Sequence, residues 1–134
     1  MSSSFRKGSH VAEINPATSK AKLQVAEGLR KGKTYALQEG VNYIGRKGPT
    51  EVSIDLTEQE MPGVAVQVNR FALVWFDNTG LNIADTGTRV GTVLNGAKIP
   101  SKKKFPLKAD DTLKFGKTLL KVQVIKKQKT GVQK

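Results

Sequence analysis

The run Ile83-Ala84-Asp85-Thr86-Gly87-Thr88-Arg89-Val90-Gly91-Thr92-Val93-Leu94-Asn95-Gly96 carries most of the architectural information in this chain. It ends in a hairpin signal. Asn95-Gly96 lies between Thr92-Val93-Leu94 and Ala97-Lys98-Ile99, and Asn-Gly is the pair that best fills a tight two-residue turn between antiparallel strands. Its middle, Gly87 to Gly91, is a glycine-bounded loop, which any arrangement exposes. Outward from it the periodicity is two, not 3.6. Leu23 and Val25 alternate with polar neighbours, as do Tyr35 and Leu37, then Val52, Ile54 and Leu56, then Val64, Val66 and Val68. Leu120, Val122 and Val124 do the same against Lys121 and Gln123. Such alternation predicts half-buried strands in antiparallel sheets. Further turn signals fall at Glu39-Gly40, Gly48-Pro49, Pro62-Gly63, Asn78-Thr79-Gly80 and Gly116. Many short strands with regular turns predict an all-β sandwich or barrel. No segment reads as an amphipathic helix, and only a short helical turn around Thr57–Glu60 is compatible with the pattern.

The 134 residues suffice for one domain with its own core. The expected organisation is a flexible leader over residues 1–19, a β-sandwich over 20–126 and a basic tail over 127–134. Cysteine is absent, which removes disulfides and thiolate metal sites and fits a reducing, cytoplasmic setting. No apolar run is long enough for a membrane span, and Met1 to His10 lacks the apolar stretch of a secretory signal. The net charge of +12 is uneven. Residues 1–34 carry seven Lys/Arg against two acids, residues 35–100 five against seven, and residues 101–134 eleven against two. Lys102, Lys103 and Lys104 form one dense cluster, and Lys126, Lys127 and Lys129 another. These attract anionic surfaces or nucleic acid by a salt-sensitive, sequence-blind force. The plain alternative is solubilising decoration, favoured by the lack of interleaved aromatics for stacking bases.

Three ordered blocks resemble the forkhead-associated (FHA) family. Tyr43-Ile44-Gly45-Arg46 precedes the strand Val52-Ser53-Ile54-Asp55-Leu56 and matches the family's Gly-Arg pair. Val68-Asn69-Arg70-Phe71-Ala72-Leu73 lies where the family reads Val-Ser-Arg-any-His-Ala. The opening run lies along Ile-any-Asp-Leu-Gly-Ser-Thr-Asn-Gly-Thr-Phe-Val-Asn-Gly. Ile99, Leu107, Asp111, Leu113, Phe115 and Gly116 then follow the family's closing pattern. The resemblance covers about residues 21–126. It implies two stacked, twisted sheets of many short strands in an antiparallel β-sandwich. It also implies a non-catalytic protein-interaction module that binds phosphothreonine through loops at one end.

The same resemblance assigns the site. Arg46 matches the phosphate-binding arginine, with Lys47 adding charge beside it. Asn69 replaces the phosphate-binding serine, and its amide still donates. Arg70 matches the second arginine, although a plainer role, pairing with a neighbouring carboxylate, is open to it. Ala72 replaces the histidine that braces the loops. Thr88 and Arg89 occupy the Ser-Thr positions, and Arg89 stands for the threonine that touches the bound phosphothreonine. Val90 replaces the asparagine that grips the peptide backbone. Two readings stay open. Arg46, Arg70 and Arg89 form a modified pocket for phosphate or carboxylate, or phosphate recognition is lost and the loops serve another contact. The loss of the gripping asparagine weighs towards the second.

Catalysis finds little support. The one histidine is His10 in the leader. Asp110 and Asp111 are adjacent, so their side chains diverge. Glu58 and Glu60 read as loop acids rather than metal ligands. No cofactor, metal or catalytic residue is expected. On the strand Phe71–Phe76, alternation sets Phe71, Leu73 and Trp75 against Ala72, Val74 and Phe76, with the first set expected inward.

Overall fold

The computed structural model describes residues 12–48, 51–59 and 69–127. Among these residues eleven strands follow one another: β1 (Ser19–Glu27), β2 (Thr34–Ala36), β3 (Gly40–Gly45), β4 (Ile54–Asp55), β5 (Arg70–Asp77), β6 (Gly80–Asp85), β7 (Val93–Leu94), β8 (Ala97–Lys98), β9 (Phe105–Leu107), β10 (Thr112–Phe115) and β11 (Thr118–Lys126). They form a six-stranded sheet in the order β2-β1-β11-β10-β7-β8 and a five-stranded sheet in the order β4-β3-β5-β6-β9. Every pairing is antiparallel except β3 with β4, which is parallel. The chain is all-β, as the period-two pattern predicts, and a sandwich, as the family resemblance implies. Asn95 and Gly96 both have positive φ, 50° and 87°, and they turn β7 into β8 with Leu94 opposite Ala97. Asn95 adds side-chain bonds, accepting from Thr112 N and donating to Asp111 Oδ1. Residues 57–59 form a turn, Gln59 N donating to Leu56 O, and not a helix.

The alternating apolar residues meet between the sheets. Leu23, Val25, Leu113, Phe115, Leu120 and Val122 come from one side, and Ile44, Ile54, Phe71, Val74 and Ile83 from the other, all essentially without solvent exposure. Phe71 and Phe115 join the layers, their ring centroids 6.0 Å apart. Ala12 to Thr18 fall within the expected leader. There Ala12 N donates to Asn78 O, Ile14 packs on the core and Asn15 is buried. Val64–Val68, the Pro62-Gly63 turn, Glu60, Met1 to Val11 and the tail from Gln128, with Lys129, lie outside the described residues.

Strand β5 corrects the expected facing. Its inward residues are Phe71, Ala72, Val74 and Phe76, while Leu73 and Trp75 are only half-buried. Ala72 and Val74 lie opposite the buried Ile44 and Asn42 of β3, and a bulge adds Phe71 to their side. Ile44 pairs with Ala72 but Gly45 pairs with Arg70, so Phe71 is an extra residue opposite their junction. One inserted residue reverses the face of what precedes it. Phe71 therefore points inward together with the even-numbered set.

Strand directions sort the loops. The β3–β4, β6–β7 and β8–β9 connections and the chain entering β5 share one end. The β5–β6 and β7–β8 turns lie at the other, together with the start of β1 and the finish of β11.

Candidate functional site

Gly45 ends β3 where the chain entering β5 crosses it. A Cβ built on Gly45 would stand 1.9 Å from Asn69 O, so any side chain there drives the two segments apart. The close approach lets Arg46 and Asn69 clamp each other. Arg46 N donates to Asn69 O over 2.7 Å, and Asn69 Nδ2 donates to Arg46 O. The residue standing for the family's serine is thus engaged with the loop that carries Arg46. Arg46 is half-buried, and its Nε is buried without a hydrogen-bond partner among the described residues. Lys47 is exposed. Its amide donates to Thr57 Oγ1 at 2.9 Å and to Asp55 Oδ1 at 3.2 Å. Burial pushes the Asp55 carboxyl up, but bonds from the Thr57 hydroxyl and the Thr57 and Lys47 amides outweigh it and hold the group below the usual carboxylate range.

Arg70 takes a different partner from the expected one. Its Nε donates to the main-chain carbonyl of Glu51 at 2.8 Å, and its guanidinium lies 3.7 Å from the Tyr43 ring centroid. Stacking on an aromatic face and bonding a carbonyl leave it fixing the β3–β4 loop to the sheet. No acidic side chain pairs with it among the described residues.

The β6–β7 loop is held from beneath by Asp85, which is 4 % exposed. One carboxylate oxygen accepts from Gly87 N and the other from Thr92 Oγ1, each at 2.8 Å. The loop is tied sideways by Thr86, whose hydroxyl lies 2.9 Å from both Arg70 O and Phe71 O. This residue, not singled out by the sequence, braces the two loops where Ala72 leaves no histidine to do so. Ala72 itself is fully buried. Between these anchors Arg89 is exposed and Thr88 half-buried. Val90 packs on the core, so it offers a bound peptide no amide.

The structure therefore links Arg46, Asn69, Arg70 and the Thr86–Arg89 stretch through a continuous set of contacts at one end of the sandwich. It divides the lysines. Lys102 N donates to Asp85 O, which places Lys102 on the loop end. Lys104 lies over Trp75, 4.3 Å from the centroid, and Lys103 over Phe105 at 5.8 Å, so aromatic rings do stand beneath that cluster. Lys126 pairs with Ser19, and Lys127 bonds Thr18 O and Pro16 O, at the far end. Among the described residues, Lys102 and the Lys126–Lys127 pair therefore lie at different ends. Among the described residues no group of three or more His, Asp or Glu side chains is placed to hold a metal ion.

The FHA domain family profile matches residues 42–116, more than half of the chain. Solved structures agree. The FHA domain of Rv0020c is 25 % identical, with a TM-score of 0.61 over 80 % of this chain and 94 % of its own. An FHA domain studied for phosphothreonine-dependent interactions is 24 % identical, with a TM-score of 0.59 over 78 % and 95 %. An FHA domain of an Arabidopsis thaliana hypothetical protein is 20 % identical, with a TM-score of 0.65 over 87 % and 95 %. No curated protein sequence matches the chain closely.

Proposed function

The chain belongs to the forkhead-associated domain family, and from that premise we propose that its loop end holds a phosphothreonine segment of a partner protein, with Arg46 as the principal anion ligand. FHA domains are phosphothreonine-dependent protein-interaction modules. The observation that carries the reading for this chain is the state of Arg46. Its main chain is clamped to Asn69, and its buried Nε has no partner among the described residues. An unbonded buried donor is costly, about 1–3 kcal/mol and more when charged. When the half-buried guanidinium turns outward, it offers Nε and its other donors to a phosphate oxygen in a charge-assisted bond. Exposed Arg89 and Lys47 add positive charge, and Thr88 a hydroxyl. With Val90 turned inward, the grip on the peptide backbone is weaker than the family pattern provides. The proposed ligand is therefore chosen by its phosphate more than by its flanking sequence.

The alternative, binding of nucleic acid or an anionic surface through the lysines, draws less support, because among the described residues Lys102 and Lys126–Lys127 sit at opposite ends. No helix among the described residues is long and apolar enough to cross a membrane.

Fluorescence anisotropy with phosphothreonine and unphosphorylated peptide libraries tests the reading. Arg46→Ala is expected to weaken phosphate-dependent binding by about tenfold or more, the worth of a charged hydrogen bond. Lys127→Ala is expected to leave it within about twofold. Equal losses from both would reduce the attraction to diffuse charge. Equal affinity for phosphorylated and plain peptides would end the phosphate reading.

A further inference from the structure

The two sheets turn opposite kinds of surface outward. On the six-stranded sheet the inward positions are apolar, and the outward ones include Lys20, Lys22 and Gln24 of β1, Lys114 of β10, and Lys121 and Gln123 of β11. That is the apolar-in, polar-out alternation of a solvated antiparallel face. The five-stranded sheet departs from it. Its outward positions set Val41, Trp75, Asn82 and Pro106 side by side in one row, and Tyr43, Leu73 and Ala84 in the next. The rows cross up to four strands, about 14 Å, and stand about 7 Å apart. Val41 is 40 % exposed, and Tyr43, Leu73 and Trp75 are half-buried. A contiguous apolar panel on a sheet face marks a place for a partner. Two cations rest on its rings, Lys104 on Trp75 and Arg70 on Tyr43. Neither makes a salt bridge among the described residues. Asp77 feels the charge of Lys104 from the end of β5, but its carboxylate already accepts from the Thr79 amide and hydroxyl.

We propose that the outer face of the five-stranded sheet docks a segment of a partner protein that carries apolar side chains flanked by Asp or Glu, with no phosphate required. Charge complementarity selects the acidic flank. A cation already seated on a ring has less rotamer freedom to lose when a carboxylate arrives. Trp, Tyr and Arg are the residue types that dominate the energetics of protein interfaces, and Trp75, Tyr43 and Arg70 share this face. A second copy of the chain fits poorly, because it brings its own net charge of +12 to the contact. A bilayer fits poorly too. The rings lie half-buried in a sheet and beneath cations, so they offer no apolar tip to insert. The face meets the loop end at Arg70, but Arg46 takes no part in it.

Selection from a display library of random unphosphorylated peptides, with Trp75→Ala as the counter-selection, tests the face. Trp75 is the one tryptophan of the chain, so its emission reports on occupancy. The peptides retained are expected to combine apolar residues with Asp or Glu and to shift that emission to the blue. Measured by anisotropy of labelled peptides, affinity is expected to fall about tenfold or more in Trp75→Ala and in Lys104→Glu. In Arg46→Ala it is expected to stay within about twofold. Lys104 is exposed, so its charge reversal tests the face on an intact fold even where loss of the indole lowers the melting temperature. No enrichment, or enrichment of neutral or basic peptides, overturns the proposal. Peptides displaced by a phosphothreonine peptide, or lost in Arg46→Ala, sit on the loop end; they overturn it too and leave the Arg46 reading standing. Two further outcomes give the face to another occupant and overturn the proposal in its favour. One is sedimentation showing a dimer that Trp75→Ala dissolves. The other is flotation with phosphatidylserine vesicles that the same variant abolishes.

Discussion

The β3–β4 and β6–β7 loops face the same solvent from the same end of the sandwich, and they are secured in opposite ways. The first is held by main-chain proximity. Gly45 admits Asn69 O into the space of a side chain, and reciprocal hydrogen bonds fasten Arg46 to Asn69. The second is held by side chains, with Asp85 beneath it and Thr86 beside it. A loop fixed through its backbone can keep one demanding residue, here Arg46, in place. A loop fixed at its base leaves its tip open to change, and Arg89 and Val90 are two of the four positions that depart from the family's pattern, beside Asn69 and Ala72. Frame and contact are separate properties of such a rim, and one varies while the other stays.

The contrast is sharpest under substitution. Gly45→Ala forces a methyl into Asn69 O. It is expected to cost about 3 kcal/mol in chemical denaturation and to abolish phosphate binding with it. Wild-type stability in that variant would break the claim that close approach holds the first loop. Asp85→Ala strands the Gly87 amide and the Thr92 hydroxyl, and a loss of about 2 kcal/mol is expected. Amide exchange should then quicken between Gly87 and Thr92 and stay slow at Arg46. Quickening in both loops would show that they are one unit. Thr86→Val keeps shape and removes the brace, at about 1 kcal/mol by the same measurement; no change at all would return the bracing role to packing.

Acid gives the smallest effect. Asp55 and Asp111 feel burial, which raises them, but their hydrogen bonds prevail, from Thr57 and Lys47 in one case and from Asn95 and Lys108 in the other. Asp77 is lowered chiefly by the Thr79 hydroxyl. Each carboxyl is thus more acidic folded than unfolded. Their contribution is complete above the unfolded value of about 4 and fades as pH falls through the depressed folded value. Melting temperature is expected to hold from pH 7 to 5 and to decline below about 4. Asp55→Asn should flatten part of that decline, and a profile identical to wild type would remove Asp55 from the first loop's support.

Much of the architecture was legible in the residues. Period-two alternation marks β1, β2, β4 and β11, and Asn95-Gly96 marks the hairpin. The facing of β5 was not legible, because the bulge at Phe71 carries no glycine or proline to mark it. Only the pairing with Ile44 and Gly45 reveals it. Arg70 was expected to seek a carboxylate, yet a carbonyl and the Tyr43 ring satisfied it, and neither acceptor is visible as charge in a sequence. The Thr86 brace was legible in principle: a hydroxyl residue stands where the family's pattern has leucine, near an alanine where it has histidine. Charge summed along the sequence does not show which lysines lie together in space. Strand β11, nine residues or roughly 30 Å long, carries Lys126 and Lys127 away from the end where Lys102 sits.

The hydrogen bond between Lys127 and Thr18 has a consequence for handling and for architecture alike. It brings the entrance and the exit of the sandwich side by side, on the face turned away from Arg46. A tether, a label or a neighbouring domain joined at either point leaves the β3–β4 and β6–β7 loops unobstructed. Placed in the middle of another polypeptide, the unit would hang from a narrow double stalk with the Arg46 end foremost.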